Sequence, residues 1–254
     1  MLSQNVRHND QHMESIEVIS SGGKSGVGVL DKSVAILAFL SGDGPASLAD
    51  VIDGTGLSRP TAHRLLSALE AHHLVSRQDR RYVLGMRLLG WGNRAAGVGL
   101  VGRAGPVLEG LRDESGESTQ LYVREGYHRV CVASVERVTG LRDTVPVGAV
   151  MPLSRGSAGK ILLAFAPAGV DDRTDAAELR GIRVRGWAQS VAEREAGVAS
   201  VSAPVFGEEG RLKAAVSISG PISRLTERPG QRLSHLVVEA AREIERTRTG
   251  SFAP

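Results

Sequence analysis

A short stretch near the amino terminus most narrowly limits what this chain can fold into. Apolar residues recur at helical spacing over residues 47–52, Gly54 and Gly56 interrupt the run, and Ser58-Arg59-Pro60 begins another. Serine is favoured at a helix N-cap and proline in the first helical turn. Two short helices joined by a tight glycine turn form a helix-turn-helix unit, and we therefore predict such a unit here.

The flanking segments extend this pair into a larger unit. Upstream, apolar residues at three-to-four spacing predict a first helix; they are Val29, Leu30, Val34, Leu37 and Leu40. Downstream, two short apolar runs, residues 74–77 and 82–84, surround a polar turn and predict a β-hairpin. Three helices followed by a hairpin make a winged helix-turn-helix, which we predict over residues 27–85, followed by a linker helix over residues 86–97.

The third helix is the candidate DNA-reading element. Its apolar stripe predicts that Ala62, Leu65, Leu66 and Leu69 face the core and that the polar residues face outward. In a helix-turn-helix the second helix of the unit enters the major groove, where arginine binds guanine, and backbone N–H groups at helix starts favour phosphate. The predicted DNA contacts are Ser47, Ser58, Arg59, Thr61, His63, Arg64, Ser67, Arg77, Arg80 and Arg81. The alternative is an ordinary solvated face, since the net charge is only +3.

The remainder of the chain alternates between helical and strand-like patterns. Strands are predicted over residues 119–124, 130–135, 141–147, 198–206 and 212–219, and helices over residues 101–114, 157–165 and the amphipathic carboxyl-terminal segment. This pattern predicts an antiparallel sheet flanked by helices over residues 98–250 and an α+β fold class for the chain. Residues 1–26 are polar and end in Ser/Gly-rich sequence, which predicts a disordered tail.

Composition excludes several classes of protein. Of the 254 residues 41% are hydrophobic and 23% charged, which is typical of a globular protein. The single cysteine, Cys131, excludes an intrachain disulfide and a zinc site built on several thiolates. No apolar run approaches the roughly 20 residues of a membrane-spanning helix, and residues 1–11 lack an export signal. We therefore expect a cytoplasmic protein without a membrane partner.

Candidate catalytic and metal-binding motifs are incomplete. Gly23-Lys24-Ser25 lacks the earlier glycine of a phosphate-binding loop, because Val18 occupies that position. The run Gly156-Ser157-Ala158-Gly159 lacks the first glycine of a hydrolase nucleophile elbow, where Arg155 stands instead. We predict no enzyme activity, no metal and no cofactor. Cys131 is expected to be a packed side chain, with a redox switch as the alternative.

Several motifs, in their order and spacing, resemble the IclR family of bacterial transcriptional regulators over about residues 28–248. They are residues 30–37 and 56–66, Tyr82-Val83-Leu84-Gly85, Gly159-Lys160-Ile161-Leu162-Leu163-Ala164 and Ser217-Ile218-Ser219-Gly220-Pro221. Residues 141–148, 185–190 and 197–204 further resemble the actinobacterial NdgR/AreB-type branch, which regulates amino-acid biosynthesis and notably leucine operons. The resemblance implies a winged helix, a linker helix, a GAF-like effector domain, and a dimer or dimer of dimers on palindromic double-stranded DNA.

The resemblance also implies where a small-molecule effector, often a carboxylate, would bind, and an amino acid or another small carboxylate is the candidate for this chain. It implies backbone contacts at the start of the helix predicted from residue 157, and serine side chains on nearby strands. Period-two geometry independently places Ser217 and Ser219 on one strand face, although hydroxyl-to-backbone bonds would also satisfy them. The predicted effector residues are Arg155, Gly156, Ser157, Ala158, Ser190, Ser200, Ser217 and Ser219.

Two departures from the family pattern leave the effector open. Ser154 and Arg155 stand where the family usually has histidine and alanine, and Ser190 stands where one binding pattern has aspartate. Arg155 is predicted to give a charge-assisted bond to a carboxylate, with plain surface exposure as the alternative. We expect a repressor of leucine-type biosynthesis genes; the alternatives are a regulator of a catabolic or secondary-metabolism operon and a small-molecule sensor without operator function.

Overall fold

A computed structural model describes residues 25–42, 44–95, 99–166, 175–207 and 210–246. The chain divides into two compact units between Ala95 and Ala96. Residues 1–24 of the predicted tail, and residues 96–98 at the predicted end of the linker, lie outside the described residues. The predicted domain boundaries therefore stay predictions, and each unit is described by itself.

The first unit consists of three helices, a two-stranded hairpin and a fourth helix. Its elements are α1 (Gly28–Leu40), α2 (Leu48–Thr55), α3 (Arg59–Ala71), β1 (Val75–Gln78), β2 (Arg81–Leu84) and α4 (Arg87–Ala95). The core is formed by buried side chains from each of the first five, among them Ile36, Val51, Leu66, Val75 and Tyr82. The predicted winged helix-turn-helix is confirmed.

The apolar residues that predicted α1 do not all face the core of the unit. Ile36 and Leu40 are buried, whereas Val29, Leu30 and Val34 are more than half exposed. At 100° per residue, Leu30 and Val34 lie on a different side of the helix from Ile36 and Leu40. Val29 lies on the same side of the helix as Ile36, but it is two turns nearer the amino terminus, and the core of the unit does not extend that far. The amino-terminal half of α1 therefore presents apolar side chains to solvent.

The second unit contains a six-stranded antiparallel sheet in the order β5-β4-β3-β8-β7-β6. Its elements are α5 (Leu100–Ser115), β3 (Ser118–Glu125), β4 (His128–Val135), β5 (Val150–Pro152), α6 (Ser157–Ala164), α7 (Ala176–Arg185), β6 (Ala188–Val191), β7 (Val198–Phe206), β8 (Leu212–Pro221), α8 (Ile222–Leu225) and α9 (Pro229–Arg246). The predicted α+β class, with helices flanking an antiparallel sheet, is confirmed.

Both faces of the sheet are covered by helices. On one face α5 and α9 pack against alternate strand residues such as Val201, Val216 and Ile218. On the other face α6 and α7 pack against a second cluster that includes Cys131 and Ala215. Because neighbouring residues of a strand point to opposite faces, the serines that alternate with these apolar residues on β7 and β8 face α6.

The strand predicted over residues 141–147 is wrong. These residues form no strand, and the chain rejoins the sheet only at β5. In this segment Asp143 and Val145 are buried while Leu141 and Val147 are exposed, so the apolar pattern does not describe one sheet face. The short elements β5, β6 and α8 were not predicted, because each is too short to show a period. No described helix is both long enough and apolar enough to cross a membrane.

Candidate functional site

The outer face of α3 carries the predicted polar set. Arg59, His63, Arg64 and Ser67 are exposed and Thr61 is half-buried, while the four predicted inner residues are all buried. The Ser58 hydroxyl hydrogen-bonds the Thr61 hydroxyl at 2.9 Å and does not cap the backbone. The helix thus presents two exposed arginines about one to two turns apart, near its amino-terminal end, where a recognition helix contacts base edges.

A protein carboxylate already occupies the start of α2. Asp50 accepts a hydrogen bond from the Ser47 backbone N–H at 2.8 Å, and the Ser47 hydroxyl accepts one from the Asp50 N–H at 3.2 Å. The backbone bond from Ser47, followed by that of its hydroxyl, lowers the pKa of Asp50. A DNA phosphate at Ser47 would have to compete with this carboxylate, and the predicted contact stays a prediction.

The hairpin presents its three arginines differently. Asp79 and Arg80 both have positive φ (48° and 66°), as a two-residue type I′ turn requires, so exposed Arg80 lies at the tip. Arg77 donates to the Tyr82 hydroxyl at 2.7 Å and lies 3.4 Å from the Glu70 carboxylate. Arg81 donates to the Pro45 carbonyl at 3.0 Å. Arg80 is therefore the hairpin arginine best presented to a ligand.

The second unit gathers most of the predicted effector residues around the start of α6. Six of them line one small cavity: Gly156, Ser157, Ala158, Ser200, Ser217 and Ser219. Four residues that were not predicted complete the lining: Tyr122, Arg129, Asp143 and Arg194. The cavity volume is about 20 Å³, which is roughly the room needed by one water molecule. A larger ligand therefore requires the walls to move.

The serine hydroxyls hydrogen-bond chiefly to one another. Ser157 Oγ lies 2.7 Å from both Ser200 Oγ and Ser202 Oγ, and Ser202 donates to Ser217 at 2.9 Å. Ser217 also donates to the Val201 carbonyl at 3.4 Å, while Ser219 donates to Gln120 Oε1 at 3.0 Å. Hydroxyl-to-backbone bonding thus accounts for only part of this cluster. A hydroxyl can reverse its donor direction, so the network can adapt to a polar ligand.

Small residues are required where α6 begins. Gly156 has φ +85°, a conformation that side chains rarely adopt, and a Cβ on Gly159 would lie 2.2 Å from the Leu153 carbonyl oxygen. The Gly156 N–H donates to Glu193 Oε2 at 3.2 Å, and the other Glu193 oxygen accepts from Lys160 at 2.5 Å. Burial opposes the charge of Lys160, but its bonds to Glu178 and Glu193 keep its pKa above the usual value.

Buried Arg129, half-buried Arg194 and buried Asp143 determine the charge of the cavity. Arg129 is 2% exposed and donates to the carbonyls of Pro152 and Arg155, with its guanidinium above the Tyr122 ring. Burial lowers the pKa of Arg129. Burial also opposes the charge of Arg194, but the adjacent Asp143 carboxylate outweighs it and raises the pKa of Arg194. The cavity therefore carries one more positive than negative charge.

Two predicted effector residues lie outside this cavity. The Arg155 side chain is exposed, and only its carbonyl oxygen takes part, as an acceptor for Arg129. Ser190 lines a neighbouring cavity of about 350 Å³ together with Lys160, Trp187 and Glu193. Arg129, and not Arg155, places a guanidinium in the lining of this cavity, and the predicted bond from Arg155 to a carboxylate stays a prediction.

Sequence patterns contained a signal for the missed residues. Arg129 and Cys131 are two apart on β4 and therefore share a face, so an arginine beside a buried cysteine indicated a buried charge. Asp143 lies within the segment mistaken for a strand. Burial raises the pKa of Cys131 to about 12, so the thiol stays neutral at physiological pH and a redox switch is not supported.

Comparison with known proteins agrees with this arrangement. The sequence profile of "Bacterial transcriptional regulator IclR C-terminal" matches residues 94–176 and 170–246, and that of the "IclR helix-turn-helix domain" matches residues 29–79. The chain belongs to the IclR family. IclR-family regulators are non-enzymatic transcription factors, and this member is a DNA-binding transcriptional regulator.

Individual relatives span most of the chain. The "Glycerol operon regulatory protein" of Streptomyces griseus is 33% identical over 77% of this chain and 85% of its own length. The "HTH-type transcriptional repressor AllR" of Escherichia coli is 29% identical over 87% and 90%, respectively. The Thermotoga maritima IclR crystal structure is 27% identical, with a TM-score of 0.66 over 85% of this chain and 97% of that one.

Proposed function

We propose that this IclR-family regulator reads a palindromic double-stranded operator with its first unit and senses a small metabolite that carries a carboxylate group at the start of α6. The observation that carries the proposal is the buried, net-positive cavity beneath that helix. It lies where family resemblance implies an effector, and six residues expected there line it. We assign residues 27–85 to DNA reading, 86–97 to a linker and 98–250 to effector binding, in a cytoplasmic protein.

On the DNA side, α3 supplies the proposed base contacts and the hairpin supplies phosphate contacts. Arg59 and Arg64 are exposed on α3, with Thr61, His63 and Ser67 beside them. Arg80 at the hairpin tip is proposed to meet the backbone of the same duplex, with Arg77 and Arg81 in supporting positions. Ser47 and Ser58, at the starts of α2 and α3, are proposed to donate to phosphates.

A homodimer, or a dimer of dimers, is proposed because the first unit exposes large apolar side chains. Val29, Leu30 and Val34 on α1 are each more than half exposed, as are Met86 and Leu89 at α4. A second copy of the chain would remove such surface from water. A palindromic operator also presents the same half-site twice, which a two-fold symmetric dimer matches.

The proposed mechanism is a shift between two states of the dimer. A ligand that binds the second unit more tightly in one state shifts the population toward it, and operator affinity changes by the same coupling free energy. Because the cavity has room for roughly one water molecule, ligand entry requires the walls to rearrange. That rearrangement is the proposed structural difference between the two states.

For the regulated genes, we propose repression of amino-acid biosynthesis of the leucine type. The support is sequence resemblance of residues 141–148, 185–190 and 197–204 to the NdgR/AreB-type branch. A catabolic operon is the second candidate, favoured by similarity to the glycerol operon regulatory protein. Genome-wide footprinting in the native host separates the two, because the bound promoters identify the pathway.

The test of the function is retention of operator fragments on a gel by the purified full chain. We expect selection of footprinted promoter fragments over random duplex at moderate salt, and a change in affinity with metabolites of the bound pathway. Ser217→Val is expected to abolish that response while apo operator binding persists, and Ser223→Val, at an exposed serine of α8, serves as the control. Failure to select any genomic fragment, with or without metabolites, contradicts the proposal.

A further inference from the structure

We infer that the cavity at the start of α6 takes a small zwitterion, a ligand that carries both a carboxylate and an ammonium group. The inference rests on the proposed function of this cavity as the effector site and names the chemical class of the effector. Two unpartnered polar atoms of opposite type carry it: Nε of Arg129, which donates, and Oδ2 of Asp143, which accepts. Both residues line the same cavity.

The surroundings of Arg129 favour binding of an anion. Its side chain is buried, and its hydrogen-bond partners are two carbonyl oxygens and the Met151 sulfur, all of them uncharged. Among the described residues no carboxylate lies within ion-pair distance of it. A buried charge without a counterion is costly, and buried polar groups are rarely left without a partner. A carboxylate matches the planar donor fork of the guanidinium.

The surroundings of Asp143 favour a hydrogen-bond donor at Oδ2, preferably a cationic one. The residue is 6% exposed, and its Oδ1 accepts from Arg194 at 2.5 Å while Oδ2 has no partner. An ionised carboxylate accepts hydrogen bonds and donates none. A simple monocarboxylate would therefore satisfy Arg129, yet leave Oδ2 unpartnered and bring a second negative charge toward it. A ligand with both groups satisfies both atoms at once, because its carboxylate accepts from Nε of Arg129 and its ammonium donates to Oδ2 of Asp143.

The lining also limits the kind of side chain that the ligand can carry. Hydroxyls of Ser157, Ser200, Ser217 and Ser219 make up much of the wall, whereas apolar surface comes from Tyr122 and Ala158. Such walls favour a short or polar side chain over a branched aliphatic one. Asp143 and Arg194 lie in irregular segments, residues 136–149 and 192–197, so this side of the cavity can open without breaking sheet pairing.

The first experiment is calorimetric titration of the full wild-type chain with matched small probes. Glycine, L-alanine and L-serine carry both charges, propionate carries only the carboxylate, ethylamine only the ammonium, and glycerol neither. We expect at least one of the three amino acids to bind about tenfold to a hundredfold more tightly than every single-charge probe, as a charged hydrogen bond contributes that much. Propionate binding as tightly as the amino acids, or no binding of any amino acid at millimolar concentration, overturns the inference.

A variant locates the ammonium partner. Asp143→Asn keeps the size of the side chain and removes its charge, so we expect the preference for the bound amino acid over propionate to fall at least about tenfold. Asp113→Asn is the matched control, because Asp113 forms an exposed pair with Arg112, and its preference should equal that of the wild type. An unchanged preference in folded Asp143→Asn protein overturns the assignment; if that variant is unfolded by circular dichroism, the wild-type probe series alone decides.

Operator retention, measured on the same preparations, separates this inference from the proposed function. If the protein selects its operator and responds to a monocarboxylate or a polyol but not to an amino acid, the zwitterion inference fails and the function stands. If amino acids bind but no genomic duplex is selected, the regulatory function fails and the ligand class stands.

Discussion

The polar side chains of α3 and those beneath α6 are of similar types, chiefly arginine and serine, but their surroundings are opposite. Arg59 and Arg64 on α3 are exposed, so water solvates them until a ligand arrives. Arg129 is buried, and Arg194 is tied to Asp143, so these groups depend on fixed neighbours. The contrast teaches that substitution on α3 should change binding and leave stability intact, whereas substitution beneath α6 should change both.

The largest expected effect is loss of stability on replacing Asp143. In Asp143→Ala, Arg194 is left beside Arg129 without its carboxylate, and we expect the free energy of unfolding to fall by about 3 kcal/mol. Urea unfolding followed by Trp187 fluorescence in a Trp91→Phe background measures it. Asp113→Ala, which breaks an exposed pair, should cost less than about 1 kcal/mol. Equal losses of unfolding free energy in the two variants would contradict the proposed difference between exposed and buried charges.

The next largest expected effect is weaker operator binding on replacing an exposed arginine of α3. Arg59→Ala or Arg64→Ala should weaken operator binding by about 1–3 kcal/mol if the side chain meets a base edge, with a change in unfolding free energy within about 0.5 kcal/mol. Gel retention and urea unfolding measure the two quantities. Arg180→Ala, an exposed arginine on α7, controls for the loss of one positive charge. Unchanged affinity in both α3 variants would remove this helix from the interface.

The dependence of stability on alkaline pH tests the burial of the Cys131 thiol. Burial raises the pKa of Cys131 to about 12, well above the roughly 8.5 of an unfolded thiol. The folded chain therefore keeps a proton that the unfolded chain releases. Stability should fall as pH rises between about 9 and 12, by up to about 1.4 kcal/mol per unit.

Urea midpoints measured at about pH 8 and about pH 10 test this sign. Cys131→Ala should show a shallower decline than the wild type, because the variant no longer carries the titrating thiol. Burial also raises the pKa of Tyr122, so some decline should persist in the variant. Parallel slopes in the two proteins would show that the thiol is not shielded from solvent.

The smallest expected effect is at the hairpin. Arg80→Gln should reduce the slope of log affinity against log salt by about 1, if its guanidinium meets a phosphate. Arg81→Gln is the matched comparison, and its effect should be smaller because that guanidinium is already bonded to the Pro45 carbonyl. Gel retention over a salt series measures both slopes. A larger change for Arg81 would reverse the proposed roles of the two arginines.

Local patterns predicted the winged helix-turn-helix better than the cavity beneath α6. The spacing of the apolar residues on α3 identified its buried face correctly, because a helix repeats within four residues. On α1 the apolar spacing predicted the helix, but Val29 is exposed although it points to the same side as Ile36, because the core of the unit does not extend that far. Whether an apolar side chain is covered depends on its neighbours, and periodicity describes only its direction.

The serines beneath α6 show what the sequence alone determined. Alternation along β7 and β8 is a property of any extended strand, so Ser217 and Ser219 had to share a face wherever the strand was placed. The glycine-flanked start of α6 was likewise visible, since few other residues accept the backbone conformation of Gly156.

The meeting of Arg129, Asp143 and Arg194 was decided only by the tertiary structure. The three residues come from strand β4 and two irregular segments, and they lie up to 65 positions apart in the chain. They face one cavity because antiparallel pairing orders the strands as it does. Short-range periodicity carries no information about such distant contacts. The order of the strands brings the charged groups together, and the low dielectric of the protein interior strengthens the interactions between them.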